Sequence, residues 1–198
     1  MNCETSHSGN YIIYTDGSYK KYNSGNVKAS CAYIVLDDNH EVILKGKSAI
    51  SDTKEKLLNS VGVELFSVII ALKALRKISK DADKVSVTIM TDYRELERLH
   101  HLLNTHRKSS YKKKEKQQIF QWNWYYSNLC QVFKLYKELG KELILEVKWC
   151  RGHAGIFWNE KADSLAKDVT KKRGKEKRRT KNKIIDMTES KQPSDFIV

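Results

Sequence analysis

Four acidic residues, Asp16, Glu64, Asp92 and Asp163, stand where the surrounding pattern asks for an apolar or neutral side chain. Asp16 closes the β-branched and aromatic run Tyr11-Ile12-Ile13-Tyr14-Thr15, which reads as a strand left at Gly17 and Ser18. Asp92 repeats that placement at the end of Val85-Ser86-Val87-Thr88-Ile89-Met90-Thr91. Glu64 opens a helix whose Val68, Ala71, Leu72, Leu75 and Ile78 recur three or four apart, and it shares their core-facing stripe. Asp163 falls one turn into a last helix, at the margin of the stripe Ala162, Leu165, Ala166 and Val169. A buried charge is costly unless it is paired or ligated, so any one of these alone reads as a cap, a turn residue or half of an ion pair. Four converging on one sheet edge, with no matched Lys or Arg beside them, need a cation. Oxygen-only ligation suits hard ions that keep several waters, Mg²⁺ first and Mn²⁺ as the alternative.

The order of elements sets where those carboxylates meet. Three strands near residues 10–16, 29–37 and 41–48 are broken at Ser24-Gly25 and Asp37-Asp38-Asn39, a spacing that predicts antiparallel hairpins. The Glu64 helix runs to about Ser79, the Asp92 strand follows, and a helix spans about Arg94 to Leu103. A basic loop leads to a longer helix from about Gln117 to Leu139, then a strand from Leu143 to Trp149 and the last helix from Asn159. Strands separated by helices lie parallel in one sheet, which makes an α/β fold with a five-stranded mixed sheet, three antiparallel strands then two parallel, and helices on both faces.

At 198 residues the chain fits one domain with tails. An N-terminal extension over 1–9, a domain over 10–170 and a basic, disordered tail over 171–198 are expected, the tail because it is polar, charged and without apolar periodicity. No apolar run approaches the roughly 20 residues of a membrane span, and the N-terminus lacks the apolar core of a signal peptide. These readings predict an intracellular monomer, cytoplasmic or nuclear, with no membrane partner. Cys3, Cys31, Cys130 and Cys150 show no metal-ligand spacing and read as reduced thiols.

The net charge of +13 is concentrated. Arg107 to Lys116 holds six basic residues and one acid, and Lys171 to Lys183 holds nine and one, so the two runs carry the whole excess. Such patches are footprints for phosphate backbones. Just beyond the first run, Trp122, Tyr125, Leu129, Val132, Phe133 and Tyr136 form an apolar helical stripe. Trp124 and Tyr126 fall off it, where an aromatic face can pack on a sugar.

Taken in chain order, Thr15-Asp16-Gly17-Ser18, Val63-Glu64-Leu65, Thr91-Asp92, Trp149-Cys150-Arg151-Gly152-His153-Ala154-Gly155 and Trp158-Asn159-Glu160-Lys161-Ala162-Asp163-Ser164-Leu165-Ala166-Lys167 resemble the type 1 ribonuclease H family. The resemblance covers about Tyr11 to Thr170. It implies the ribonuclease H-like fold and an endonuclease that hydrolyses the RNA strand of RNA:DNA hybrids through two Mg²⁺ ions, leaving 5′-phosphate and 3′-hydroxyl ends. Asp16 is then expected to bridge both ions, Glu64 and Asp92 to complete one site and Asp163 the other. His153, in a Gly-rich loop, is read as a proton shuttle that aids product release, since a histidine gains and loses its charge near neutral pH. Glu64 and Gly17 lie where the family contacts RNA, and Ser18 is read as a substrate contact beside them. Lys112, Lys113, Lys114 and Lys116 lie where some members carry a basic protrusion that grips DNA.

The chain departs from the family pattern at Asn59-Ser60-Val61-Gly62-Val63, where many members have Thr-Asn-Asn, and at Tyr93-Arg94, where a small polar pair is common. Asn23 is read as a replacement substrate contact and Trp124 as a sugar platform. Two alternatives stay open at the level of sequence: a retroelement or junction nuclease on the same fold, and an inactive hybrid- or RNA-binding module.

Overall fold

The computed structural model describes residues 8–50, 59–79, 82–104 and 116–172. Strands β1 (Ser8–Lys21), β2 (Val27–Leu36) and β3 (Val42–Ile50) form an antiparallel meander. Helix α1 (Ser60–Leu75) leads to β4 (Lys84–Thr91), which pairs in parallel with β1. Helices α2 (Arg94–Asn104) and α3 (Lys116–Glu138) precede β5 (Glu142–Trp149), parallel to β4, and α4 (Phe157–Lys172) follows. The sheet order is β3-β2-β1-β4-β5. This is the mixed five-stranded architecture that the alternation of strands and helices predicts.

Strand β1 is longer than its sequence pattern suggests. Gly17 and Ser18 do not end it; pairing with β2 continues from Asp16 opposite Ala32 to Lys21 opposite Val27. The reversal comes at Tyr22–Asn26, where Gly25 adopts φ +80° and the Tyr22 and Asn26 backbones bond at 2.9 Å. Pairing with β4 stops at Tyr14 opposite Met90. Beyond that point β1 and β4 part, and Asp16 stands at the fork. Crevices outside the carboxyl ends of parallel strands are where open α/β sheets bind ligands.

The sheet is covered on both faces. On one, Ile13, Val35, Val87 and Ile89 pack with Leu65, Val68, Leu72 and Leu75 of α1 and with Tyr125, Leu129 and Tyr136 of α3. On the other, Ile34 and Leu36 meet Ala162 of α4, with Ile12, Tyr14, Trp158 and Leu165 around them. Successive β1 residues Ile12 and Ile13 thus serve opposite layers, as a strand's two-residue period requires. Helix α1 lies between the sheet and α3, which is why ten of its residues are buried and it is apolar nearly all round.

Two expected core positions lie outside it. Ile78 falls beyond the end of α1 and is exposed, and Phe133 on α3 is 38% exposed. Helix α4 begins at Phe157, two residues before the expected start, because the Ile156 carbonyl already accepts the Glu160 N–H at 3.0 Å. Cys31 and Cys150 are buried free thiols, as read from sequence, and Cys130 is exposed. Cys3, Lys112, Lys113, Lys114 and the tail beyond residue 172 lie outside the described residues; Lys116 is the first residue of α3. Among the described residues no helix is long and apolar enough to cross a membrane.

Asn59 caps α1 in extended backbone: its Oδ1 accepts the Gly62 N–H at 2.8 Å and the Gln121 side-chain amide of α3 at 2.6 Å. One of the family departures therefore has a structural task, joining the start of α1 to α3. Substituting Asn59→Ala should cost about 1–2 kcal/mol, from one lost cap and one stranded amide. Urea denaturation of the two proteins checks it, and a loss under about 0.5 kcal/mol would mean that water replaces both bonds.

Candidate active site

Asp16, Glu64 and Asp92 come from three separate elements and meet at the fork between β1 and β4. Each offers a carboxylate oxygen, and these atoms all lie within 4.8 Å of one another. Asp16 is buried within β1, not at its end. Glu64 lies in the second turn of α1, which Gly17 allows to approach closely: a β-carbon on Gly17 would fall 2.6 Å from Val63 Cγ2 and 2.8 Å from the Glu64 nitrogen. That same closeness lets the Gly17 backbone N–H donate to the Glu64 carboxylate. Gly17 is thus the point at which helix and strand touch.

Asp92, the first residue after β4, is fixed from the side of β5. The Trp149 indole N–H donates to the Asp92 carbonyl at 3.1 Å, and the Cys150 N–H donates to the Thr91 carbonyl at 2.9 Å. A β-carbon at Gly152 would lie 2.6 Å from Asp92 Oδ2, so the absence of a side chain there leaves the carboxylate its room. The Arg94 guanidinium lies over the Trp149 ring, 5.4 Å from its centroid, and Glu97 Oε1 accepts the Trp149 backbone N–H at 3.0 Å. Behind the cluster, the Cys150 thiol donates to Asn159 Oδ1 at 3.4 Å, tying the end of β5 to the start of α4.

The fourth carboxylate departs from the expectation. Asp163, on the second turn of α4, is bonded through Oδ2 to Lys167 Nζ at 2.7 Å, one helical turn on. The sequence reading had no basic partner beside the carboxylates; Lys167 is one, at the i, i+4 spacing that brings helical side chains together. That spacing was visible in Asp163-Ser164-Leu165-Ala166-Lys167 and is the signal that could have found it. Asp163 does not join the group of three within 4.8 Å, although its charge acts on all of them.

Burial and mutual repulsion make the cluster hard to ionise. Burial, then the charges of Asp163 and Asp92, push the Asp16 carboxyl up to about 8, against a partial opposing pull from Lys167. Glu64 is raised well above the usual carboxylate range by burial first and then by Asp16 and Asp92. Asp92 is raised by burial, and the nearby His153 lowers it in part. Asp16 Oδ2 and Glu64 Oε2 are buried and have no hydrogen-bond partner among the described residues. Two unpartnered carboxylate oxygens turned into a cluster of acids fit a hard divalent cation, which would neutralise them and complete their coordination.

The remaining predicted residues fall into two groups. Ser18 lies two residues past Asp16 on the same sheet face, opposite Ser30, and His153 sits exposed beside Asp92 with φ +52°. Gly155 follows at φ +78°, its N–H held by Glu160 Oε1 at 3.0 Å. Asn23 is not gathered with them: it is exposed in the β1–β2 turn, roughly 20 Å along the hairpin at about 3.3 Å per residue. Trp124 is half-buried and stacks on Phe66 with centroids 5.1 Å apart, so one ring face belongs to the core.

The chain matches the family model for RNase H over residues 8–171. Among solved structures, RNase H1 from the halophilic archaeon Halobacterium salinarum NRC-1 aligns with a TM-score of 0.54 at 16% identity, covering 83% of this chain and 99% of that one. LC11-RNase H1 in complex with RNA/DNA hybrid aligns at 0.53 and 16%, over 81% of this chain and 99% of that one. A foamy viral protease-reverse transcriptase in complex with dsDNA aligns at 0.55 and 18%, over 80% and 92%. Such identities establish a shared fold. No curated protein matches the chain significantly.

The raised Asp16 carboxyl has a consequence for stability. Between about pH 4 and about pH 8 the folded, metal-free protein holds a proton that the unfolded chain has released, so stability is greatest at the acid end and falls as pH rises through that window. The expected loss is on the order of a few kcal/mol. Thermal denaturation in chelator across this range should show Tm falling with pH, the slope flattening in Asp16→Asn. Added Mg²⁺ should raise Tm more at pH 8 than at pH 5.5, because the ion displaces the proton. A Tm that climbs with pH in chelator would mean that the carboxylates are not crowded as described.

Proposed function

Because the chain belongs to the ribonuclease H family, we propose that it hydrolyses the RNA strand of RNA:DNA hybrids at the cluster formed by Asp16, Glu64, Asp92 and Asp163, leaving 5′-phosphate and 3′-hydroxyl ends. The observation that carries this reading is the convergence of three carboxylates within 4.8 Å, two of them with buried, unpartnered oxygens. Asp16, Glu64 and Asp92, joined by Asp163, would hold two Mg²⁺ ions, with Mn²⁺ as a substitute. Bound there, the ions would supply Lewis-acid activation of a water and stabilisation of the departing oxygen.

The protein's own groups arrange that chemistry. Asp16 and Glu64 are immobilised by the Gly17 contact, so their oxygens need no reorganisation when the cluster is neutralised. Lys167 holds the Asp163 carboxylate until a cation competes for it. His153, exposed and near enough to lower the Asp92 carboxyl in part, is read as the proton shuttle that aids product release. Backbone at Gly17 and Ser18 lies alongside Asp16, where it reads the minor groove of a hybrid through its 2′-hydroxyls, without regard to base sequence. Lys112, Lys113, Lys114 and Lys116 supply charge for the DNA strand, and Trp124 offers its outer ring face to a sugar.

Cleavage of an end-labelled hybrid with Mg²⁺, beside matched double-stranded RNA and DNA, tests the reading. The RNA of the hybrid alone should be cut, and Asp92→Asn should reduce cutting to the level of the blank. His153→Ala should lower kcat by about 10²-fold, the low end for a positioned proton-transfer group, with KM little changed. Retained hybrid binding without any cleavage in wild type would refute the nuclease reading.

A further inference from the structure

Arg94, the first residue of α2, follows Asp92 by two positions, so their α-carbons lie at most about 7 Å apart. It belongs to the Tyr93-Arg94 pair at which the chain departs from the family pattern. Its side chain is exposed, and its guanidinium lies over the Trp149 ring, 5.4 Å from the centroid. Trp149 is held at both of its nitrogens: its backbone N–H donates to Glu97 Oε1 at 3.0 Å, and its indole N–H to the Asp92 carbonyl at 3.1 Å. The ring is therefore a fixed seat, and its negative face attracts the cation above it.

No acid takes up that charge. The two glutamates nearest in sequence are engaged elsewhere, Glu97 with the Trp149 N–H and Glu95 with Arg98 at 4.0 Å. Among the described residues no carboxylate comes within ion-pair distance of Arg94. Nor does Arg94 neutralise the active site, since the positive charges that lower the Asp92 carboxyl are those of His153 and Lys167. A guanidinium held on an aromatic seat at the rim of the carboxylate cluster, with its charge unspent, is open to an anion from solution. Its planar fork matches a phosphate through two parallel N–H bonds.

We propose that Arg94, seated on Trp149, binds a backbone phosphate of the strand being cut, next to the scissile one. The contact rests on the reading of the site as a hybrid-cutting nuclease and adds to it a fixed point on the β5 side of Asp92. Because the indole ties the seat to the Asp92 backbone, the phosphate within reach belongs to the strand that Asp92 serves. Stacking orders the side chain before substrate arrives, so less freedom is lost when the bonds form. The contact is to backbone charge, so it sets affinity and register without sequence preference.

Binding of a labelled RNA:DNA hybrid in Mg²⁺ across a series of KCl concentrations tests it, comparing Asp92→Asn with the same protein carrying Arg94→Gln. One phosphate contact contributes roughly 0.7 to 0.9 to the slope of log K against log salt, and the slope should shrink by that amount. Arg98→Gln removes an equal charge one helical turn on and should leave the slope unchanged. Replacing the linkages of the RNA strand one at a time by uncharged methylphosphonate then locates the contact. At one linkage beside the scissile one, the neutral group should weaken binding by about 10-fold in the parent and cause no further loss in Arg94→Gln. With Asp92 intact, Arg94→Gln should raise KM and leave kcat unchanged. Equal slopes for parent and Arg94→Gln would overturn the contact. So would an equal slope change in Arg98→Gln, which marks a diffuse field, or a scan in which Arg94→Gln erases no methylphosphonate effect. Should Arg94→Gln unfold, Arg94→Lys carries the scan: with two bonds reduced to one, the loss at the marked linkage should drop to about 3-fold, and an undiminished loss overturns the proposal. Failure of wild type to cut hybrid would sink the nuclease reading instead, and the slopes and the scan would still decide whether Arg94 holds a phosphate.

Discussion

Repulsion among Asp16, Glu64 and Asp92, crowded into a partly buried fork of the sheet, is the constraint around which this protein is built. Three carboxylates within 4.8 Å, two with buried unpartnered oxygens, are an energetic cost that only a tightly packed surround can impose. The surround is visible in the packing. Strand β1 parts from β4 at Tyr14, α1 is drawn against β1 through Gly17, and the end of β5 fastens Asp92 through the Trp149 indole and the Cys150 amide. Charge is concentrated at the one point where the sheet opens.

The large apolar layer between the sheet and α1 and α3 supplies the rigidity. Two of its buried hydroxyls bond within the layer: the Tyr136 hydroxyl donates to the Leu72 carbonyl at 3.2 Å, and the Tyr125 hydroxyl and His100 share a 2.7 Å bond. Helix α1 therefore has little freedom to tilt, and Glu64 on its second turn inherits that rigidity. The thinner layer under α4 does a different job. It holds Asp163 close enough to act on the other carboxylates while Lys167 occupies its oxygen, so the fourth acid is kept beside the site in a paired state. A crowded triad, buried at Asp16 and half-buried at Glu64 and Asp92, and a fourth carboxylate with an exchangeable partner suit a centre that loads cations as pH rises and protons leave.

The sequence by itself determined the elements, the mixed character of the sheet and the places of the four acids in the chain, since period-2 and period-3.6 patterning are local properties and an acid on an apolar stripe is conspicuous; the strand order β3-β2-β1-β4-β5 came from the fold. Asp16, Glu64 and Asp92 were legible for that reason, and so was the mixed sheet. Tertiary structure decided what local pattern cannot carry. Pairing partners extended β1 past Gly17, because strand length depends on β2 and not on β1 alone. Packing turned Ile78 and Phe133 outward, stacked Trp124 on Phe66 and gave Asn59 to the α1 cap, since a helical stripe says which residues share a face but not which neighbour covers it. The Lys167 contact and the exclusion of Asp163 from the triad depend on distances of a few ångströms among side chains from four elements, and such distances exist only once the chain has folded.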